Sequence, residues 1–178
     1  MTEAVDVAAV VAALRAADQT VATAESLTGG LVCATLVQVP GASLVVRGGV
    51  IAYQPDVKTR LLGVDADLIA REGTVNAQVA EQLAVGARER LGATWGLGTT
   101  GVAGPGPAEG QPAGTVHVAV AGPDGVRSTR LELTGDREAV RLGAVRGVLA
   151  ELHYRLGKNH GSTDVESKKE GGGHDSDA

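Results

Sequence analysis

Apolar residues in the first 156 positions alternate between helical spacing and short strand-like runs, and this alternation constrains the fold more than any other feature. Near the N-terminus, valine and leucine recur at i, i+3, i+4 and i+7, which is the spacing of one buried helix face. The residues concerned are Val7, Val10, Val11 and Leu14. Short apolar runs typical of buried strands follow at about residues 20–24, 44–53 and 94–99.

Further helices are predicted from their end signals. An apolar helix follows the turn that begins at Ser26 and ends near residues 39–41. Pro55 suits the first turn of a short helix, and Gly63 is a typical stop for it. Asn76 is a typical N-cap for a longer helix. The apolar stripe of that longer helix consists of Val79, Leu83, Ala87 and Leu91.

The last third of the chain predicts a hairpin followed by a helix. Strand-like runs at about residues 115–121 and 126–133 flank a Pro-Asp-Gly turn, which favours antiparallel pairing. Asp136 caps the final helix. Its buried stripe consists of Val145, Val148, Leu149, Leu152 and Leu156. Alternating helices and strands followed by a hairpin predict the α/β class, with a mixed sheet covered on both faces.

We expect one folded domain, residues 1–156, followed by a disordered tail, residues 157–178. The tail consists of glycine, serine and charged residues with almost no aliphatic side chains. Such a segment cannot bury enough apolar surface to offset the entropy lost on ordering.

Charge and composition exclude several classes of function. The net charge is −5, and no basic stripe with interleaved aromatic residues is present, so no nucleic-acid partner is expected. No apolar run approaches the roughly 20 residues of a membrane helix, and no signal peptide is evident, so we expect a cytoplasmic protein. No metal-ligand spacing appears, and Cys33 is the only cysteine, which fits a reducing compartment. Its apolar neighbours predict an inert thiol on a buried helix face.

Ser26 is the first candidate for chemistry. It lies in Ala24-Glu-Ser-Leu-Thr-Gly-Gly30, where a strand delivers a hydroxyl to a turn and helix start. Unpaired N–H groups at a helix N-terminus can stabilise an oxyanion. Serine is also a common helix cap, so the residue alone does not identify a nucleophile.

Lys58 is the second candidate, three residues after Pro55. In the first turn of a helix the macrodipole disfavours an ammonium, and partial burial lowers its pKa further. A lysine held partly neutral is a plausible general base for a serine. The alternative is a solvated lysine on a short helix.

A glycine-rich segment, Gly98-Thr-Thr-Gly101 and the Pro/Gly loop after it, is the third candidate. Gly96, Gly98 and Gly101 formally match a dinucleotide-binding fingerprint, but a loop follows where that fingerprint requires a helix. What remains is a backbone that can approach a ligand closely, with Thr100 as a polar anchor.

Arg137 and Arg141 lie one turn apart at the start of the last helix, where the helix dipole disfavours cations. A bound phosphate would resolve that conflict. Pairing with Glu138 or another nearby carboxylate is the alternative. His117 alternates with valines and is interpreted as an ordinary strand residue.

In combination and in this order, the motifs closely resemble the CinA carboxy-terminal domain family across about residues 5–156. The resemblance rests on Ala24-Glu-Ser-Leu-Thr-Gly-Gly30, Val39-Pro-Gly-Ala-Ser43, Gly49-Val-Ile-Ala-Tyr53, Lys58, Leu61-Leu-Gly-Val64, Gly73-Thr-Val75, Thr100-Gly-Val-Ala-Gly-Pro105, Pro112-Ala-Gly-Thr-Val116 and Gly135-Asp-Arg137.

The resemblance implies an α/β/α sandwich, a homo-oligomer and a nicotinamide-nucleotide amidase. Such an enzyme converts nicotinamide mononucleotide and water to nicotinate mononucleotide and ammonia, and no cofactor is expected. Carried over by motif, Ser26 is the nucleophile and is assisted by Tyr53 and Lys58. The expected substrate contacts are Thr28, Gly29, Gly30, Thr100, Gly101, Arg137 and Arg141.

Some positions depart from the family pattern. Leu27 replaces the usual cysteine, Gln54 and Pro55 replace the usual Ser-Asn, and Gln111 replaces a common lysine. Asn76 replaces a serine and preserves an N-cap. Longer family members carry an amino-terminal domain with a pyrophosphatase role, and we do not expect that activity from this sequence. Two other functions remain open: a catalytically silent nucleotide-binding or regulatory module, and an amidase for another small amide.

Overall fold

The computed structural model describes the backbone of residues 5–163 and the side chains of residues 5–158. In chain order the elements are α1 (Val7–Ala16), β1 (Val21–Glu25), α2 (Leu31–Val37), a 3-10 turn (Ala42–Leu44), β2 (Val46–Ile51), α3 (Pro55–Leu62), α4 (Ala66–Glu72), α5 (Ala77–Arg90), β3 (Trp95–Gly101), β4 (Thr115–Gly122), β5 (Gly125–Glu132) and α6 (Arg137–Thr163).

The five strands form one mixed sheet in the order β2-β1-β3-β4-β5. Strand β1 lies parallel to both β2 and β3, whereas β3–β4 and β4–β5 are antiparallel pairs. The predicted hairpin is present, because β4 and β5 pair directly through Gly122 and Gly125. The prediction of a mixed sheet is therefore confirmed.

Helices cover both faces of this sheet. On one face, α1, α2 and α6 pack on the larger strand side chains, including Trp95, Leu97 and Val118. On the other face, α3, α4 and α5 pack against Ala22 and Ala24 of β1. The three-layer α/β/α arrangement is thus confirmed, and the core is built from aliphatic residues because the chain has no Phe and one Trp.

Local end signals explain most helix boundaries. The side chains of Asp6, Asn76 and Asp136 accept hydrogen bonds from N–H groups of the first turns of α1, α5 and α6. Pro55 is the first residue of α3, and Gly63 ends it in the left-handed conformation. Helix α4 is missing from the sequence-based prediction, although Asp65 caps its first turn.

Gly96 and Gly98 lie inside β3, where the strand passes directly beneath α5. A Cβ at either position would collide with the α5 backbone, at Ala84 and Ala80 respectively. These glycines therefore permit close packing of helix on strand. Strand β3 continues to Gly101 and leads into a loop rather than a helix. The segment therefore lacks the helix that a dinucleotide-binding fingerprint requires, as predicted from the sequence.

Arg155 on α6 fastens the β4–β5 hairpin to the helix. Its guanidinium is 3% exposed, donates to the Val120 and Gly125 carbonyls and to the Asp124 carboxylate, and lies over the Trp95 ring. One planar cation thus joins three elements through contacts that a lysine could not reproduce.

We expect Arg155→Leu to lower the free energy of unfolding by about 2 kcal/mol, because buried carbonyls lose their charged donor. Arg130→Leu is the matched control, since the Arg130–Glu132 pair is exposed and contributes at most about 1 kcal/mol. Urea denaturation of both variants measures the difference. Equal losses would contradict the fastening role of Arg155.

The last helix extends beyond the domain boundary expected at residue 156. Its backbone is helical to Thr163, so the first part of the predicted tail continues α6. Residues 164–178 lie outside the described residues, and their disorder stays a prediction. Cys33 on α2 is only partly buried, so the expectation of a core thiol on a buried helix face is wrong. Among the described helices, none has the length and low polarity needed to cross a membrane.

Candidate active site

Three sequence motifs meet at the carboxyl edge of the parallel strands. Ser26 follows β1 directly, Tyr53 lies just after β2, and Gly101 ends β3. Because β1 is parallel to both neighbours, the three strands end at the same edge of the sheet. The chain leaves β1 for β2 on one side and returns to β3 on the other, which is where open α/β sheets usually bind ligands.

Ser26 and Lys58 are in direct contact at this edge. The Lys58 Nζ lies 3.0 Å from the Ser26 Oγ. The Lys58 side chain is 1% exposed and Ser26 is 9% exposed, so both members of the pair are largely buried. The alternative of a solvated lysine is therefore wrong, and the contact has the geometry of a nucleophile beside its base.

The other contacts of Lys58 are backbone carbonyls. Its Nζ donates to the Ala52 oxygen at 2.7 Å and to the Tyr53 oxygen at 2.9 Å. Among the described residues no carboxylate forms an ion pair with this amine. Burial lowers the pKa of Lys58 to about 8, although the Glu109 carboxylate raises it in part.

These contacts suit a neutral amine. Two N–H groups of neutral Lys58 satisfy the two carbonyls, and the remaining lone pair then points to the one other partner, the Ser26 hydroxyl. In that state Ser26 donates its hydrogen bond to Nζ, which is the arrangement required to remove the hydroxyl proton.

Glu25 holds the turn that presents Ser26. Its carboxylate is buried and accepts N–H bonds from Gly30, Val32 and Cys33 at 2.9–3.0 Å, at the start of α2. A carboxylate at a helix N-terminus neutralises the unpaired N–H groups there. Glu25 has no role in the sequence-based prediction, although its place directly before Ser26 and a helix start was a usable signal.

The contacts of Gly29 and Gly30 differ from those expected. The Gly29 N–H donates to the Ser26 carbonyl and the Gly30 N–H donates to Glu25, so neither is free to bind an oxyanion. In the same turn, the N–H groups of Leu27 and Thr28 have no hydrogen-bond partner among the described residues. These two groups lie directly after Ser26 and are the available donors.

Thr28 and Thr100, the two threonines predicted to contact the substrate, form hydrogen bonds within the protein instead. Thr28 is fully buried, and its hydroxyl shares a hydrogen bond of 2.8 Å with that of Thr99. Thr100 is 1% exposed and donates to the Thr74 carbonyl at 2.7 Å. Neither side chain lines the cavity at Ser26, so the expectation of direct substrate contact is wrong for both hydroxyls.

Arg137 and Arg141 contact different parts of the site. Neither arginine forms an ion pair with a carboxylate in the described part of the chain. Arg141 donates to the carbonyls of Leu27 and Thr28, which fixes the Ser26 turn from outside the cavity. Arg137 lies on the cavity wall and donates to the Gly104 carbonyl and the Tyr53 hydroxyl. Of the two arginines, only Arg137 therefore lines the cavity.

The Tyr53 hydroxyl contacts Arg137 at 3.2 Å, and the residue is half exposed. Only the Tyr53 carbonyl reaches Lys58. The backbone carbonyl of Tyr53 therefore positions Lys58, and the Tyr53 hydroxyl positions Arg137.

A cavity of about 330 Å³ opens in front of Ser26. Its walls are Tyr53 and Leu27 on one side and the loop from Gly101 to Glu109 on the other. This volume is within the range of small-molecule sites. Gly101 lines it with backbone, as expected for close approach to a ligand. No group of three or more His, Cys, Asp or Glu in the described residues could hold a metal ion.

Comparisons with known proteins identify the family. The CinA C-terminal domain matches residues 5–156. A CinA-like protein of Frankia casuarinae is 52% identical over 130 residues, covering 73% of this chain and 30% of the relative. A CinA-like protein of Anaeromyxobacter sp. is 51% identical over 150 residues, covering 84% and 37%. The chain thus spans about a third of the length of these relatives.

Solved structures agree with this match. A CinA superfamily protein of Klebsiella pneumoniae superposes with a TM-score of 0.81 at 32% identity, covering 86% of this chain and 97% of that one. A CinA superfamily protein of Escherichia coli gives a TM-score of 0.79 at 32% identity, covering 82% and 86%. By sequence, fold and motif arrangement, the chain belongs to the CinA C-terminal domain family.

Proposed function

We propose that this domain hydrolyses the carboxamide of nicotinamide mononucleotide, yielding nicotinate mononucleotide and ammonia. The observation that carries the proposal is the buried contact between Ser26 and Lys58, whose amine has carbonyl partners and a lowered pKa. Burying an amine without a carboxylate partner destabilises the fold. A general base compensates an enzyme for this cost, whereas a silent nucleotide-binding module has no use for such a base.

The reaction follows from the contacts of the pair. Neutral Lys58 takes the Ser26 proton while Oγ bonds to the carboxamide carbon. The resulting ammonium then gives this proton to the amide nitrogen, the C–N bond breaks, and ammonia leaves. A water molecule attacks the acyl group in the same way, Lys58 accepts its proton, and Ser26 leaves with that proton as nicotinate mononucleotide is released.

The oxyanion formed in both steps needs N–H donors close to Ser26. We assign this role to the backbone of Leu27 and Thr28, whose N–H groups have no other partner among the described residues. The residue after a nucleophile at a strand-to-helix turn is well placed for it. Donors held by a fixed turn require little reorganisation during the reaction.

Ammonia release from nicotinamide mononucleotide tests the proposal directly. We expect the purified protein to form ammonia and nicotinate mononucleotide in equal amounts. Parallel assays with nicotinamide and with glutamine distinguish an amidase for another small amide. If no amide yields ammonia while the nucleotide still binds, the silent nucleotide-binding module is the correct function.

We expect kcat/KM to rise with pH and to level off above about pH 8, because only neutral Lys58 can accept the proton. The sign follows from the lowered pKa of an amine: the neutral fraction increases as the pH passes through that value from below. A pH–rate profile with saturating and limiting substrate measures it. A profile that falls or stays flat across this range would contradict the base role.

A further inference from the structure

Glu109 lies at the tip of a tight turn in the loop that faces Ser26. Ala108 and Gln111 exchange two backbone hydrogen bonds, which forces Glu109 into the left-handed region at φ 50°. A non-glycine residue rarely adopts this conformation. The turn therefore directs the Glu109 side chain away from the loop and toward the segment after α4.

Two hydrogen bonds hold the Glu109 carboxylate there. One oxygen accepts from the Thr74 N–H at 2.5 Å, and the other accepts from the Thr74 hydroxyl at 2.9 Å. The neighbouring Gly73 has φ 75°, and a Cβ at this position would collide with the carboxylate. Three residues thus fit together to place one negative charge at a defined point.

That charge belongs to the wall of the catalytic cavity. Glu109 and Arg137 are the only charged residues among those that line it in the described structure. The Glu109 charge also raises the pKa of Lys58, so its field reaches the reacting pair. The mechanism uses Lys58 and Ser26 and leaves this carboxylate without a task.

We infer that Glu109 is a specificity-determining residue, whose carboxylate faces the positively charged pyridinium ring of the substrate. The inference rests on the proposed function. In nicotinamide mononucleotide the ring nitrogen carries a positive charge and is separated from the carboxamide by two ring carbons. A substrate with its carboxamide at Ser26 therefore brings this cation close to the cavity wall.

The same charge acts against the product. Hydrolysis converts a neutral carboxamide into a carboxylate, which Glu109 repels. The site thus favours the cationic substrate over the product, and over pyridine amides with an uncharged ring. Arg137, which also lines the cavity, can attract the phosphate of either nucleotide, so it does not make this distinction.

Binding to a protein that cannot turn over separates charge recognition from catalysis. In a Ser26→Ala background, calorimetry compares nicotinamide mononucleotide with its reduced dihydro form, whose ring is neutral. Glu109→Gln keeps a side chain that can bond to Thr74 and removes only the charge. We expect Glu109→Gln to raise the Kd of the cationic ligand about tenfold, which corresponds to the loss of one partly screened charge pair. The Kd of the neutral ligand should rise less than about twofold.

Thr74→Val is the matched control, because it removes one bond to Glu109 but leaves the charge in place. Because the Thr74 N–H still holds the carboxylate, we expect Thr74→Val to raise the Kd of the cationic ligand less than Glu109→Gln does, and to leave the Kd of the neutral ligand within about twofold. Equal weakening of both ligands by Glu109→Gln would mean that Glu109 only holds the loop, and no change in either would mean that it recognises nothing. Either result overturns this inference while ammonia release by the wild type still supports the proposed function. Absence of both ammonia release and binding overturns the two together.

Discussion

Replacement of Ser26 by alanine is expected to lower kcat for ammonia release by about 10⁴-fold or more, the loss seen when a hydrolase nucleophile is removed. The cavity retains its other walls, so nicotinamide mononucleotide should still bind with a Kd within a few-fold of the wild-type value. Single-turnover assays measure the rate, and calorimetry measures the binding.

Ser128→Ala is a suitable control for this substitution. Ser128 lies on β5 at the far edge of the sheet, where its hydroxyl donates to Glu81 on α5, and it does not line the cavity. We expect its kcat to equal that of the wild type. If Ser26→Ala retained turnover near the wild-type rate, the nucleophile would have to be another group.

Replacement of Lys58 by methionine is expected to lower kcat by about 10³-fold, because the variant has no group that can accept the Ser26 proton. Methionine has a similar length and is tolerated in buried positions. Lys58→Arg is the informative companion, since arginine keeps the positive charge but cannot act as a base near neutral pH. Activity retained in Lys58→Arg would show that charge, rather than proton transfer, is what the site requires.

Unfolding experiments test the same lysine independently of catalysis. The folded-state pKa is about 8 and the unfolded value is about 10.4, so between these values the unfolded chain binds more protons. The free energy of unfolding of the wild type should therefore rise with pH across this interval because of Lys58. Lys58→Met should rise less steeply, and identical slopes would contradict the lowered pKa.

Much of the architecture was predictable because it depends on local signals. The spacing of Val10, Val11 and Leu14 is set by the helix period, and caps such as Asn76 act within one turn. Helix α4 was missed because it is short and its apolar residues form only a brief pattern. Helix α6 continues past residue 156 where composition had suggested a tail, since a preformed helix can propagate into polar sequence.

The candidate site, like the fold, was predictable only in part from the sequence. Ser26, Tyr53 and Lys58 were recognisable from their motifs. The roles of the neighbouring residues could not be predicted from the sequence, because these roles depend on contacts between distant segments. Thr100 bonds to Thr74 rather than to a ligand, and Arg141 bonds to the Ser26 turn.

By itself, the sequence determined the α/β class, the family and the choice of Ser26 and Lys58 as candidates for the proposed nucleophile and base, because each is encoded in short patterns of residue type. Only the tertiary structure decided that Lys58 is buried against two carbonyls, that Glu25 occupies the Gly30 N–H group, and that Glu109 puts a charge at the cavity wall. The physical reason is that burial and electrostatic environment depend on which distant residues come together. No local pattern records that.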